Sequence, residues 1–195
     1  MTTPGDVQRL ARWVAETEHE HLKTGDRRDP VTLPWMPYQP ADFIAIMWDV
    51  MSEVGGSVFL DVGCGPGTKM AIAGQLLGLT AYGIEIDKVM AEQAGAHGAV
   101  YPGDALDVMM TIYAEADVIW LYRPFRDAAH EAKLEQLVIE AMKPGAILAG
   151  GSWETDVHAL GWQVIVDDCL VSPDGSAKIL RGAWMKPWMK PRLTP

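Results

Sequence analysis

The sequence predicts an α/β fold: a mostly parallel sheet with helices on both faces, closed by an antiparallel hairpin. Three observations predict it. From Ser57 onward, short apolar runs alternate with helical stretches, the pattern of successive βαβ units. The first of those runs ends in a glycine-rich turn that opens directly into a helix. The alternation then stops, and two further strand-like runs flank Ser172-Pro173-Asp174-Gly175, a turn signal.

Ahead of the alternating region, residues 1–55 read as N-terminal helices with a proline-rich cap, part of the same domain as residues 56–195. Thr3, Pro4 and Asp6 resemble a helix start, and Val7, Leu10, Ala11 and Val14 recur at helical spacing. Between Thr24 and Pro40, four prolines forbid regular structure and leave Trp35, Met36 and Tyr38 on a semi-rigid loop. That loop is either a lid or a strap whose aromatics plug into the core. A second helix follows, with Asp42 expected as its N-cap, Phe43, Met47, Val50, Met51 and Val54 on one side, and Gly55-Gly56 ending it.

The expected parallel strands are residues 58–62, 80–84, 99–101, 118–121 and 146–149. Helices are expected over 68–77, 88–95, 106–114 and 127–142, the last closed by Lys143-Pro144-Gly145. Residues 163–166 and 178–184 are expected to pair as the closing hairpin, before a short tail repeat, Trp184-Met185-Lys186-Pro187 and Trp188-Met189-Lys190-Pro191.

Composition narrows the function. The 195 residues are 49% hydrophobic and 22% charged, ordinary for a globular domain. A chain of that length buries roughly 70% of its unfolded surface, so no disulfide or structural metal is needed to hold a core. Cys64 and Cys169 match no paired ligand spacing, which excludes a disulfide scaffold and a zinc ribbon. Sixteen basic against 26 acidic residues give a net charge of -10, the wrong sign for a protein that coats nucleic acid, although the stretch from Lys178 onward carries only basic charges. The N-terminus lacks a secretory signal, and no apolar stretch approaches the roughly 20 residues of a membrane span. A soluble, cytoplasmic protein is expected.

The chemistry concentrates in Asp61-Val62-Gly63-Cys64-Gly65-Pro66-Gly67-Thr68, a buried strand running into the glycine turn. Glycines there let the backbone turn sharply and approach a ligand closely. Glu85 follows the last glycine by 18 positions, at the end of the second strand, where dinucleotide-type sites place a ribose-binding carboxylate. The dinucleotide fingerprint itself is incomplete, because Thr68 stands where its third glycine belongs, and Gly67-Thr68-Lys69 reverses the order of a P-loop. Asp61 would oppose a pyrophosphate lodged in the turn but suits a ligand bearing a cation.

These residues resemble the class I S-adenosylmethionine-dependent methyltransferases, over most of the chain from Val58 onward. The resemblance implies a Rossmann-like sheet of the seven-stranded methyltransferase type and S-adenosyl-L-methionine as cofactor. It implies that Asp61, Gly63, Cys64, Gly65 and Gly67 contact the methionine portion, and that Glu85, with Ile86 beside it, takes the ribose hydroxyls. It implies further that Asp104, with Ala105, faces the adenine amino group.

At the end of the fourth strand, Tyr122-Arg123-Pro124-Phe125 keeps only the proline and the aromatic of the motif common in methylation of base amino groups, which argues against a nucleic-acid amine as acceptor. Tyr122 and Arg123 lie where ligands bind in open α/β sheets and are the candidate catalytic residues, although Arg123 pairing with Asp104 or another carboxylate is an equal alternative. Methyl transfer is a direct displacement needing alignment, desolvation and sometimes one proton acceptor, so no Ser/His/Asp set is expected. His19-Glu20-His21 reads as a solvated helix face, since residues two apart on a helix diverge. His158 reads as a loop residue or a base near Trp153 and Glu154, and Asp167-Asp168 alternate faces on a strand.

The expected activity is therefore methyl transfer to an N or O nucleophile of a small molecule or protein, with nucleic acid disfavoured except for the basic tail. The alternatives are a nicotinamide-dependent Rossmann oxidoreductase and an inactive S-adenosylmethionine-binding module acting through a partner.

Overall fold

The computed structural model describes residues 3–23, 39–53, 57–150, 163–166, 169–171 and 178–180. Helix α1 spans Pro4–Lys23, and its start is a reciprocal cap. The Thr3 N–H donates to Asp6 Oδ2 at 2.8 Å while the Asp6 N–H donates back to Thr3 Oγ1 at 3.3 Å. Helix α2 spans Pro40–Glu53 and begins earlier than expected. The Gln39 carbonyl accepts from the N–H groups of Asp42 and Phe43, and Pro40 takes the first helical position, where its missing N–H costs nothing. Asp42 thus lies in the first turn, facing the positive end of the helix dipole, and is not the N-cap.

Five parallel strands follow with their helices: β1 (Val58–Val62), α3 (Thr68–Gln75), β2 (Thr80–Glu85), α4 (Lys88–Ala94), β3 (Ala99–Pro102), α5 (Met110–Glu115), β4 (Val118–Leu121), α6 (Ala128–Ala141) and β5 (Ile147–Ala149). The one clear departure in this stretch is α5, which starts four residues later than expected. Asp104 Oδ1 accepts from the Leu106 N–H at 2.9 Å and the Asp104 carbonyl accepts from Asp107, a local turn that competes with the helix.

The C-terminal region differs from the expected two-stranded hairpin. Strands β6 (Gln163–Val166), β7 (Cys169–Val171) and β8 (Lys178–Leu180) form an antiparallel meander, and β8 lies parallel to β5. Among the described residues the sheet has eight strands in the order β3-β2-β1-β4-β5-β8-β7-β6, where the resemblance implied seven. The missed strand is β7, a three-residue run too short to carry a periodicity.

Two apolar layers sandwich the parallel sheet. Leu60 and Val62 face α5 and α6 through Tyr113, Leu134 and Val138, while Phe59, Trp120 and Ile147 face α1, α2 and α3 through Val14, Phe43, Met47 and Met70. Phe43 packs edge-on against both Phe59 and Trp120. Helices therefore cover both faces, as buried parallel strands require. The chain proceeds from β1 toward β3 on one side, then returns to place β4 and β5 on the other. The carboxyl ends of β1 and β4 consequently flank the point where strand order reverses, the position at which open α/β sheets bind ligands.

Candidate functional site

The mouth at that reversal is built from three strand ends. Strand β1 contributes Asp61 and the glycine turn, in register with Gly83 of β2 and Trp120 of β4. Gly63, Gly65 and Gly67 have φ of 74°, 55° and 84°, so the turn demands residues without a Cβ. At Gly67 the demand is doubled: an added Cβ would stand 2.8 Å from the backbone of Ala94. The turn is tied down by the N–H groups of Gly63 and Cys64, both donating to the Ile84 carbonyl. A Cβ on Gly83 would come within 2.6 Å of Cys64 Sγ and 2.7 Å of Met70 Sδ, so the small residue in β2 is what lets the turn settle onto the sheet.

Asp61 is buried, 1% exposed, and neither carboxylate oxygen meets a hydrogen-bond donor among the described residues. Lys69, on the first turn of α3, places its Nζ 3.8 Å from Asp61 Oδ2 and is itself buried. Burial pushes the Asp61 carboxyl above the usual carboxylate range, with the lysine charge opposing it. Thr68 Oγ1 is likewise buried without a partner among the described residues. Such groups are costly to leave unmade.

Glu85 ends β2 with its carboxylate turned onto the glycine loop. Oε2 accepts from the Gly65 N–H at 2.7 Å and Oε1 from the Asp87 N–H at 2.8 Å. Burial raises its carboxyl above the ordinary value against the pull of those two N–H groups, and the nearby Asp87 and Asp61 add to the rise. Gly103 donates its N–H to the Glu85 carbonyl at 2.9 Å, which sets Asp104 and Ala105 beside the same strand end. Asp104 is half-buried, Ala105 is buried and accepts at its carbonyl from the Tyr113 hydroxyl at 2.6 Å, and Ile86 is 44% exposed at the rim. Cys64 is buried, and burial together with the Asp61 and Glu85 charges drives its thiol far above the ordinary value, which favours the protonated form.

Tyr122 and Arg123 follow β4, both half-buried. Arg123 is the one non-glycine residue with positive φ among the described residues, at 41°, and it precedes a proline. Backbone strain of this kind persists only where the surroundings enforce it and gathers at functional sites. A Cβ on Gly63 would stand 3.4 Å from Pro124 Cβ, so the strained segment touches the glycine turn. Burial raises the Tyr122 hydroxyl, with Arg123 opposing it.

The sequence-predicted residues from β1, β2, β3 and β4 thus converge on one mouth, and Lys69 is the addition. The available signal is Gly67-Thr68-Lys69, a lysine in the first turn of a buried helix shortly after a strand-end acid. Among the described residues no group of three His, Cys, Asp or Glu side chains forms a metal site. The proline-rich loop over residues 24–38, Gly55-Gly56, Trp153, Glu154, His158, Asp167-Asp168 and the 184–191 repeat lie outside the described residues.

No family model and no curated protein matches the chain. Among solved structures, the fold is similar to an RNA methyltransferase from Salinibacter ruber in complex with S-adenosyl-L-homocysteine, with 22% identity over 56% of this chain and 72% of that one and a TM-score of 0.46. It is similar to a SAM-dependent methyltransferase from Thiobacillus denitrificans, also bound to S-adenosyl-L-homocysteine, with 18% identity over 76% of this chain and 55% of that one and a TM-score of 0.47. An aminopentose methyltransferase from Micromonospora echinaspora shares 16% identity over 55% of this chain and 48% of that one, with a TM-score of 0.47. The chain spans about half the length of the latter two.

Proposed function

We propose that the chain is an S-adenosylmethionine-dependent methyltransferase, and that the mouth at the carboxyl ends of β1, β2 and β4 is its donor site. The observation that carries this reading is the buried Asp61 carboxylate at the foot of the glycine turn, with no hydrogen-bond donor among the described residues. A pyrophosphate set into that turn would face a carboxylate, whereas a donor with an ammonium and a sulfonium brings the missing partner.

Asp61 and the glycine turn would hold the methionine end, Glu85 the ribose hydroxyls with Ile86 over them, and Asp104 and Ala105 the adenine. Bound there, the donor supplies a methyl carbon made electrophilic by its sulfonium. Tyr122 and Arg123 would position the acceptor at the end of β4 and exclude water, with the raised Tyr122 hydroxyl donating a hydrogen bond instead of serving as the base. The acceptor would be an N or O nucleophile on a small molecule or protein, since the net charge of -10 disfavours a polyanion. Packing of α1 and α2 onto the same sheet face as α3 supports treating residues 1–55 as part of one unit with residues 56–195. No helix among the described residues is long and apolar enough to cross a membrane, which fits a cytoplasmic enzyme.

The test is thermal unfolding with S-adenosylmethionine or NAD present. A ligand that binds only the folded chain must stabilise it, so S-adenosylmethionine should raise the melting temperature and NAD should not. The reverse result would favour the oxidoreductase reading.

A further inference from the structure

Tyr113 is fully buried and has no place at the surface of the mouth. Its ring belongs to the apolar layer of Leu60, Ile84, Leu134 and Val138, into which it carries a single hydroxyl. That hydroxyl donates to the Ala105 carbonyl at 2.6 Å, inside the core. Burial, and after it the Asp104 charge, raises the phenol above its ordinary value, so it remains a donor. The other half of the same peptide unit is also engaged: the Leu106 N–H donates to Asp104 Oδ1 at 2.9 Å. A peptide unit is planar and rigid, so fixing its carbonyl fixes the direction of its N–H. Tyr113 therefore reaches the Asp104 carboxylate through one peptide, from hydroxyl to carbonyl to N–H to Oδ1. On the strand side the turn is anchored by the Gly103 N–H on the Glu85 carbonyl, and the Asp107 N–H closes it on the Asp104 carbonyl.

Satisfying a buried carbonyl is one use for the hydroxyl. The relay gives it a second, because a carboxylate gripped at one oxygen presents the other in a fixed direction. We propose, resting on the donor reading above, that Tyr113 is a positioning residue for base discrimination: through the Ala105–Leu106 peptide it holds the Asp104 carboxylate in the orientation that accepts from an exocyclic amino group. A site held in that way rejects a base presenting an oxo group there, since two sets of lone pairs would face each other. A carboxylate released from the hold can turn, and most of the distinction goes with it. Tyr113 touches no ligand; it sets specificity from within the core.

The experiment is calorimetric binding of two probes to the full chain: S-adenosylhomocysteine and S-inosylhomocysteine, in which an oxo group replaces the exocyclic amino group. The wild type should prefer the adenosyl compound by at least about tenfold, the scale of one charge-assisted contact. Tyr113→Phe keeps the packed ring and loses the hydroxyl, and its preference should fall to about threefold or less. Val138→Ala loosens the same apolar layer without touching the peptide, and should lower the melting temperature while keeping the wild-type preference. Asp104→Asn should lose the preference by itself, and adding Tyr113→Phe to it should change nothing further, as two residues acting as a unit require. A Tyr113→Phe variant with the wild-type preference would overturn the proposal, as would a Val138→Ala variant that loses it equally or an Asp104→Asn variant that keeps it. Should Tyr113→Phe unfold in plain buffer, the same titrations are run in trimethylamine N-oxide, which strengthens burial without replacing the hydroxyl. Equal wild-type affinity for the two compounds also overturns the proposal, whereas a wild type that binds neither overturns the donor reading itself.

Discussion

Asp61 in β1 and Asp117, the residue leading into the neighbouring parallel strand β4, sit at opposite ends of the sheet. Asp117, just before β4, accepts from the N–H groups of Ser57 and Val58 at 2.8 and 2.9 Å and pairs with Lys143 at 2.6 Å. Its own backbone closes the same end, donating to the Val58 carbonyl and accepting from Ile147, so one residue laces β1, β4 and β5 together. Asp61 has a lysine at 3.8 Å and no hydrogen bond among the described residues. At the amino end of the sheet Asp117 is engaged in holding strands; at the carboxyl end Asp61 is left without a hydrogen bond among the described residues. That is the division expected of a fold that binds at one end and is stabilised at the other.

The difference has a sign in pH. Burial is the largest influence on Asp117 and pushes its carboxyl up, but Lys143 and the Val58 and Ser57 N–H groups together hold it below the ordinary 3.8. A lowered carboxyl stabilises the fold above its ordinary value, and that contribution is lost as pH falls through the folded value. Asp61 and Glu85 are raised, by burial above all, so their contribution is present below the ordinary carboxylate range and is lost as pH rises through their folded values. The two ends of one sheet therefore oppose each other on titration.

The largest expected effect comes from filling the turn. Gly67→Val places a branched side chain at φ 84° against the Ala94 backbone, and should cost about 3 kcal/mol of stability and abolish donor binding, as read by urea unfolding and calorimetry. At the other end, Asp117→Ala should cost about 2 kcal/mol while leaving S-adenosylhomocysteine affinity unchanged. Asp117→Asn should also flatten the acid limb of the stability profile below about pH 4; an unchanged limb would show that the clamp carries no linkage. Glu85→Ala should weaken donor affinity at least about tenfold, about 1.4 kcal/mol, with a smaller effect on folding. Unchanged affinity would remove Glu85 from the site. The smallest effect isolates the strain after β4: Arg123→Gly should be more stable than Arg123→Ala by about 1 kcal/mol, and both should lower turnover while sparing donor binding. Equal stabilities would mean that the positive φ costs nothing.

The comparison also explains what could be read from the chain. The five parallel strands were legible because strands buried on both faces become continuous apolar runs, as in residues 118–121, and because Gly63, Gly65 and Gly67 punctuate the first crossover. The position of Asp61, Glu85 and Asp104 at one end of the sheet was legible because each lies at or just beyond the carboxyl end of a strand. Lys69 was not, since its meaning depends on the approach of α3 to β1, a tertiary distance with no local periodicity. The Asp117 clamp was hidden for the same reason: its partners lie 59 and 60 residues away in β1 and in the lead-in to it. The start of α5 was misread because the Asp104 side chain takes the Leu106 N–H into a turn. β7 was missed because three residues leave no pattern to recognise.

The most direct measurement is a crystal of the full chain soaked with S-adenosylhomocysteine. The ribose should lie against Glu85 and the amino-acid end against Asp61 and the glycine turn, with the vacated methyl position open toward Tyr122 and Arg123. An empty mouth under saturating ligand, or a pyrophosphate seated in the glycine turn, would contradict the account.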